Sequence, residues 1–359
     1  MSRVAPFSLA VFLALGTHAC GPLADRATGP ELELVGAPQV SGTDALLQAV
    51  SPVSPDVVWV SGHDATWLRT TDGGATWSAG VMTGAEELQF RDVAAFDANT
   101  AYLMSSGTGG LSRIYRTDDG GATWTLQHTA THPEAFLDCM DFWDQDQGLV
   151  YGDEVDGVPF ILRTEDGGDT WTRVDPDGLP AAQDGEGGFA ASGTCLVTGV
   201  PGRAWIATGN AERARVLATL DGGHTWSVAE VPVAAGTGAG LTTLQMARYG
   251  RGIALGGVIG ADTVWTDNVV VTTDSGVTWT LAGRPAMSGP VYGSAWVETD
   301  AGPVVVAVGP GGMDWSGDGG QSWRSADTLT YWAVAFADGE TGWAVGPDGR
   351  ITKLSIGIR

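Results

Sequence analysis

The sequence predicts an all-β fold, a seven-bladed β-propeller of four-stranded blades, on the strength of three observations. An eight-residue motif recurs six times, a glycine-terminated apolar strand recurs seven times, and a lone strand-like segment precedes the first unit. A chain of 359 residues would ordinarily suggest two or three domains, but a repeat array grows as a single ring.

The motif is Ser/Thr-x-Asp-x-Gly-x-Thr/Ser-Trp, an Asp box. It reads TTDGGATW at 70–77, TDDGGATW at 117–124, TEDGGDTW at 164–171, TLDGGHTW at 219–226, TTDSGVTW at 272–279 and SGDGGQSW at 316–323. Trp77, Trp124, Trp171, Trp226, Trp279 and Trp323 follow one another at intervals of 47, 47, 55, 53 and 44 residues, the period of a four-stranded blade. The chemistry expected of the box is structural. Asp72, Asp119, Asp166, Asp221, Asp274 and Asp318 should accept hydrogen bonds from the backbone N–H groups of a tight glycine turn. The tryptophan should cover the joint to a neighbouring sheet. One carboxylate per box falls far short of the roughly 6–8 oxygens calcium takes, so no metal is expected there.

The second repeat sets the blade count. Short apolar strands end at Gly62, Gly107, Gly152, Gly209, Gly256, Gly309 and Gly346, one more than there are boxes. The seventh unit, 331–354, holds three strands and stops before a box, and Glu31 to Val35 (ELELV) is left without a unit. Supplying the missing outer strand from the N-terminal segment closes the ring and removes exposed sheet edges.

Eighteen basic against 42 acidic residues give a net charge of −24, which disfavours nucleic acid and anionic membrane surfaces as partners. Residues 1–19 read as a signal peptide, with Arg3 ahead of the apolar run FSLAVFLALG at 7–16, too short to span a bilayer. Cleavage before Cys20 suits both ordinary signal peptidase and lipoprotein processing, so Cys20 is a candidate lipidation site and the only expected link to a membrane. Residues 20–30 read as a tether, and 31–359 as the propeller. The chain is expected to be exported to the periplasm, cell envelope or outside, and monomeric. Cys139 and Cys195 lack metal-ligand spacing and are either one disulfide or two buried thiols.

The boxes together with GWAVG (342–346) and PDGRI (347–351) resemble the sialidase-type BNR repeat proteins, and more closely the photosystem II stability/assembly factor group. FRDVAAFD (90–97), FLDCMDFWD (136–144) and GEGGFAASGTC (185–195) resemble a bacterial branch of that group, whose members are sometimes labelled oxidoreductases. The resemblance implies a seven-bladed propeller and a part in assembling a membrane complex.

Departures from the repeat locate the candidate site on the face opposite the boxes. Aligning Phe96 with Phe142 puts Asp92 and Asp138 at one place at the channel mouth, with Arg91 beside them. GDEVDGVP (152–159) adds Asp153, Glu154 and Asp156, and the approach to unit four adds Asp184 and Glu186. Together these predict an acidic rim that attracts a basic protein or peptide. A sialidase-like glycosidase is the first alternative, but FRDV lacks the Ile-Pro of the usual motif and follows the first box. The second is an oxidoreductase with a channel-bound cofactor, for which no cofactor motif is present. No catalytic residue, metal or cofactor is assigned.

Overall fold

Apart from Met1, the computed structural model describes residues 32–358, so the expected signal peptide, Cys20 and the tether lie outside the described residues. Seven four-stranded antiparallel sheets form the ring, and among the described residues the helical content is three short 3₁₀ turns. From axis to rim, blade one is Leu47–Pro52, Val58–Gly62, Thr66–Thr70 and Ser78–Val81. The inner strands of blades two to seven are Phe90–Ala95, Leu137–Phe142, Leu196–Thr198, Ala239–Met246, Gly293–Thr299 and Ala333–Phe336. Blade seven continues with Thr341–Val345 and Ile351–Ile358, and its outer strand is Leu32–Gln39 from the other end of the chain. That strand pairs from Leu32 opposite Ile358 to Gln39 opposite Ile351, longer than the segment legible in the sequence.

The recurring glycines have a steric cause. A Cβ on Gly62, Gly152, Gly256 or Gly309 would lie 2.3, 2.3, 1.9 or 2.3 Å from a carbonyl oxygen at or just before the start of the inner strand of its own blade. The chain entering the axis passes too close for any side chain.

In each box the aspartate ties the turn shut. Asp166 accepts from Thr164 Oγ1 at 2.9 Å, Thr170 N at 2.9 Å and Thr170 Oγ1 at 2.7 Å, while Thr164 Oγ1 accepts from Gly168 N at 2.8 Å. Gly167 and Gly168 sit at φ +68° and +80°, the left-handed region that makes glycine the natural choice for the turn. The box tryptophan then packs into the joint with the preceding blade: Trp124 between blades one and two, Trp171 between two and three, and so on round to Trp77 between seven and one. Blade seven has no box, and at the joint between blades six and seven Leu32 and Leu34 of the closing strand pack against Trp315 and Ile356.

Closure is latched as well as paired. Gln39 Oε1 accepts from Trp77 Nε1 and Trp343 Nε1, both at 3.2 Å, while its Nε2 donates to Gly73 O at 3.1 Å in the box of blade one. Lys353, the only lysine of the chain, lies over Trp343 at 5.2 Å and donates to the same carbonyl at 3.0 Å.

Thr164→Val deletes a buried acceptor and leaves Gly168 N–H unpaired. It is expected to cost about 1–3 kcal/mol in denaturant unfolding; an unchanged midpoint would show the box hydroxyl to be dispensable. Deleting residues 32–39 should expose the edge of Ile351–Ile358, lower the melting temperature sharply and promote aggregation, measured by calorimetry and light scattering.

Candidate functional site

Because successive strands alternate in direction, the boxes and the turns after the inner strands share one face, and the inner strands begin on the other. In blades one, two, four, five and seven the inner strand runs from buried at its start to half-exposed at its end. The channel is therefore filled on the face opposite the boxes and open on the box face.

The filling is the segment 186–195, which crosses the axis between blades three and four. Gln48 Nε2 of blade one donates to Ala190 O at 2.7 Å, and Ser192 Oγ donates to Tyr292 O, ahead of blade six, at 2.8 Å. Gly188 N–H points between two carboxyl groups, 3.3 Å from Asp138 Oδ2 and 3.2 Å from Asp153 Oδ1. A Cβ on Gly193 would lie 2.1 Å from Asp92 Oδ1, so glycine is what lets the plug reach that wall. A disulfide between Cys139 and Cys195, with Cα atoms 5.8 Å apart, anchors its end to blade three.

This arrangement corrects the expected acidic rim. Asp92, Asp138 and Glu186 are 4%, 1% and 2% exposed, inside the molecule rather than on a rim. Asp92 and Asp138 are not equivalent either. Phe90 faces Ser105 and Leu137 faces Gly152 at matching ends of their strands, each followed by a one-residue bulge, so Arg91 corresponds to Asp138 and Asp92 to Cys139. A one-residue slip reverses the direction of a side chain. Asp92 accepts from Val93 N at 2.7 Å and from Met140 N of the next blade at 2.6 Å, pinning two inner strands together. Arg91 donates to Gln89 Oε1 at 3.0 and 2.5 Å rather than to a carboxylate. Glu186 is neutralised by Arg215, whose Nε lies 2.7 Å from its Oε1 and whose Nη2 closes a second contact. Glu154 accepts from Gly157 N at 3.0 Å in a hairpin turn formed by Asp156 and Gly157, both at positive φ. Asp156 and Asp184 are exposed.

Burial dominates the electrostatics of the plug. It pushes the Asp138 and Asp92 carboxyls well above the usual carboxylate range; the neighbouring Asp153 adds to the effect on Asp138, and backbone N–H groups oppose it at Asp92. Asp153, which shares a hydrogen bond with Asp138, is raised to about 6 by burial, and Asp141 to about 6 for the same reason.

The open end is a cavity of about 350 Å³ lined by all seven inner strands. Asp92, Ser192 and Gly193 form its floor, and Phe96, Phe142, Trp296 and Phe336 stand around its mouth. A chain of hydroxyls links three lining residues through the buried Thr243: Ser192 Oγ to Thr194 Oγ1 at 2.7 Å, on to Thr243 Oγ1 at 2.7 Å, then to Ser294 Oγ at 2.8 Å. The lining includes neither arginine nor lysine. Its carboxyl groups, Asp92 and Asp141, are both engaged by backbone N–H groups, Asp141 with Thr198 N at 2.6 Å. Among the described residues no three His, Cys, Asp or Glu side chains cluster in a way that could hold a metal. The sequence reading missed this cavity because its wall is the ordinary repeat; the surplus length of unit four was the one available sign of a plug at the other end.

No family model and no curated protein matches the chain. Solved structures do. The chain is similar to YCF48 bound to a D1 peptide, at 18% identity and a TM-score of 0.62 over 90% of this chain and 96% of that one. It is also similar to YCF48 from Cyanidioschyzon merolae, at 18% identity and a TM-score of 0.64 over 89% and 99%. At this identity the likeness is one of fold.

A carboxyl with a pKa raised by folding holds its proton more tightly in the native state. Its stabilisation is complete below about pH 4, the unfolded value, and is lost as pH rises through about 6. The box aspartates Asp72, Asp221 and Asp274, held at about 2 by hydroxyl and backbone hydrogen bonds that outweigh desolvation, act oppositely and at lower pH. The melting temperature should therefore be higher at about pH 5 than at about pH 7.5 by a few degrees, and Asp153→Asn should shrink the difference. A wild-type profile flat across that window would contradict the buried, protonated assignment.

Proposed function

We propose that this chain is an exported, non-catalytic propeller that binds a protein or peptide partner at the open, box-face end of its channel, as an assembly or stability factor for an envelope complex. The observation that carries the reading is the one-ended channel, a preformed cavity with an aromatic mouth and a floor sealed by the plug. Its volume suits one or two side chains of an inserted segment, and most ligand pockets are larger. YCF48, which shares this fold over nearly the whole chain, has been captured with a D1 peptide, so a propeller of this shape can hold a peptide. The cavity wall offers no cation for a substrate carboxylate and no free carboxyl pair, so nothing in it favours the glycosidase alternative.

The test is selection from a displayed random-peptide library on wild type and on Ala335→Trp, which fills the channel from blade seven. Wild type should enrich sequences sharing a large apolar residue, and synthetic copies should bind Ala335→Trp at least about tenfold more weakly, with equal melting temperatures. Equal binding by the two proteins would move the site away from the cavity. Hydrolysis of a fluorogenic sialoside would restore the glycosidase reading.

A further inference from the structure

We infer that the partner segment is cationic around its apolar anchor, an inference that rests on the box-face cavity being the docking site. The turns that follow the inner strands surround that cavity, and in five consecutive blades they carry exposed acids: Asp300 in blade six, Asp338 in seven, Asp56 in one, Asp97 in two and Asp144 in three. None of those five turns contains a basic residue. The turns of blades four and five reverse the sign, with Arg203 and Arg248 exposed and Arg251 paired to Glu298 at 3.2 Å. The cavity mouth is thus bordered by a long acidic arc and a short basic one. The boxes set a second ring of ionised aspartates further out on the same face, where hydrogen bonding lowers the carboxyls of Asp72 and Asp119 below their ordinary range.

Several of the arc's acids are locked in place by their own turns. Asp97 Oδ1 accepts from Asn99 N at 2.6 Å and Thr100 N at 2.8 Å, Asp144 Oδ1 from Asp146 N at 2.9 Å and Gln147 N at 2.8 Å, and Asp338 Oδ1 from Glu340 N at 2.9 Å and Thr341 N at 2.7 Å. Each of these turns leaves the carboxylate exposed. A lysine or arginine flanking an apolar residue that enters the cavity would approach the face that carries this arc, whose field reaches over a Debye length of about 8 Å at physiological salt. An acidic segment would meet repulsion from five of the seven blades.

Anisotropy with short labelled peptides tests this directly, using a central phenylalanine between lysines, the same peptide with glutamates, and the lysine peptide with serine for phenylalanine. The variants are Asp97→Asn/Asp144→Asn/Asp338→Asn, in which asparagine keeps the turn acceptor and loses the charge, and Ala335→Trp. The lysine–phenylalanine peptide should bind, the glutamate peptide should not, and the triple variant should weaken binding about tenfold and flatten its salt dependence. A glutamate peptide that binds as tightly, or a triple variant with undiminished affinity, overturns the cationic assignment; continued sensitivity to Ala335→Trp would leave the cavity reading intact. Undiminished binding of the lysine–phenylalanine peptide to Ala335→Trp would overturn both.

Discussion

A propeller stands or falls on closing its ring, and here closure rests on the pairing of Leu32–Gln39 with Ile351–Ile358. A box tryptophan packs at six of the seven joints, from the blade that follows, but blade seven carries no box. The first strand replaces it twice over. Leu32 and Leu34 pack at the joint between blades six and seven, and Gln39 reaches the box of blade one beside Lys353. The same strand thus seals the joints on both sides of blade seven. Without it two joints would open together, so the ring's cooperativity is concentrated in eight residues.

Periodic chemistry is what made the fold legible. Each box carries its own turn, hydroxyls and tryptophan, and each recurring glycine marks an unavoidable approach of chain to chain, so local residues report local geometry. The site was legible only in part, because it depends on register and on crossings that no local pattern encodes. Phe90-Arg91-Asp92 and Phe136-Leu137-Asp138 look alike as strings, yet one belongs to the blade joint a residue earlier than the other. The bulges are common to both blades, so spacing alone could not reveal the slip. The segment 186–195 did leave a trace: the interval from Trp171 to Trp226 is 55 residues against 47 in the preceding units, and its glycines and alanines are what a chain threading a narrow axis requires. A polar, glycine-rich stretch reads as a solvated loop until something shows that it crosses the interior.

The plug also explains why acids expected on a surface are inside. Asp92 and Asp138 serve backbone N–H groups that the irregular crossing and the strand bulges leave without ladder partners, and Glu186 holds Arg215 while accepting from Thr208 Oγ1 at 2.7 Å. Buried polar groups have to be satisfied, and carboxyl groups can do so where the chain is irregular. The cost is desolvation, which raises the proton affinity of Asp138 and is offset at Glu186 by ion pairing with Arg215. The large net negative charge is therefore carried by the turns and boxes, while the buried acids around the plug contribute little to the outer field.

That division bears on how the molecule can work. The axis is sealed at one end, so a segment entering the channel comes in from the open face. The open face is rigid: its turns are tied by aspartate hydrogen bonds, its aromatics pack edge-to-face, with Phe96 and Phe142 centroids 5.4 Å apart, and its floor is held by a disulfide-anchored plug. A preformed site of this kind loses little entropy on binding, so a single seated side chain can provide useful affinity. The surrounding charges then act chiefly on encounter rate and on the choice between partners. Under the proposed function, the small cavity and its charged border suit a reader of short exposed segments, with discrimination coming from charge placed around an apolar anchor.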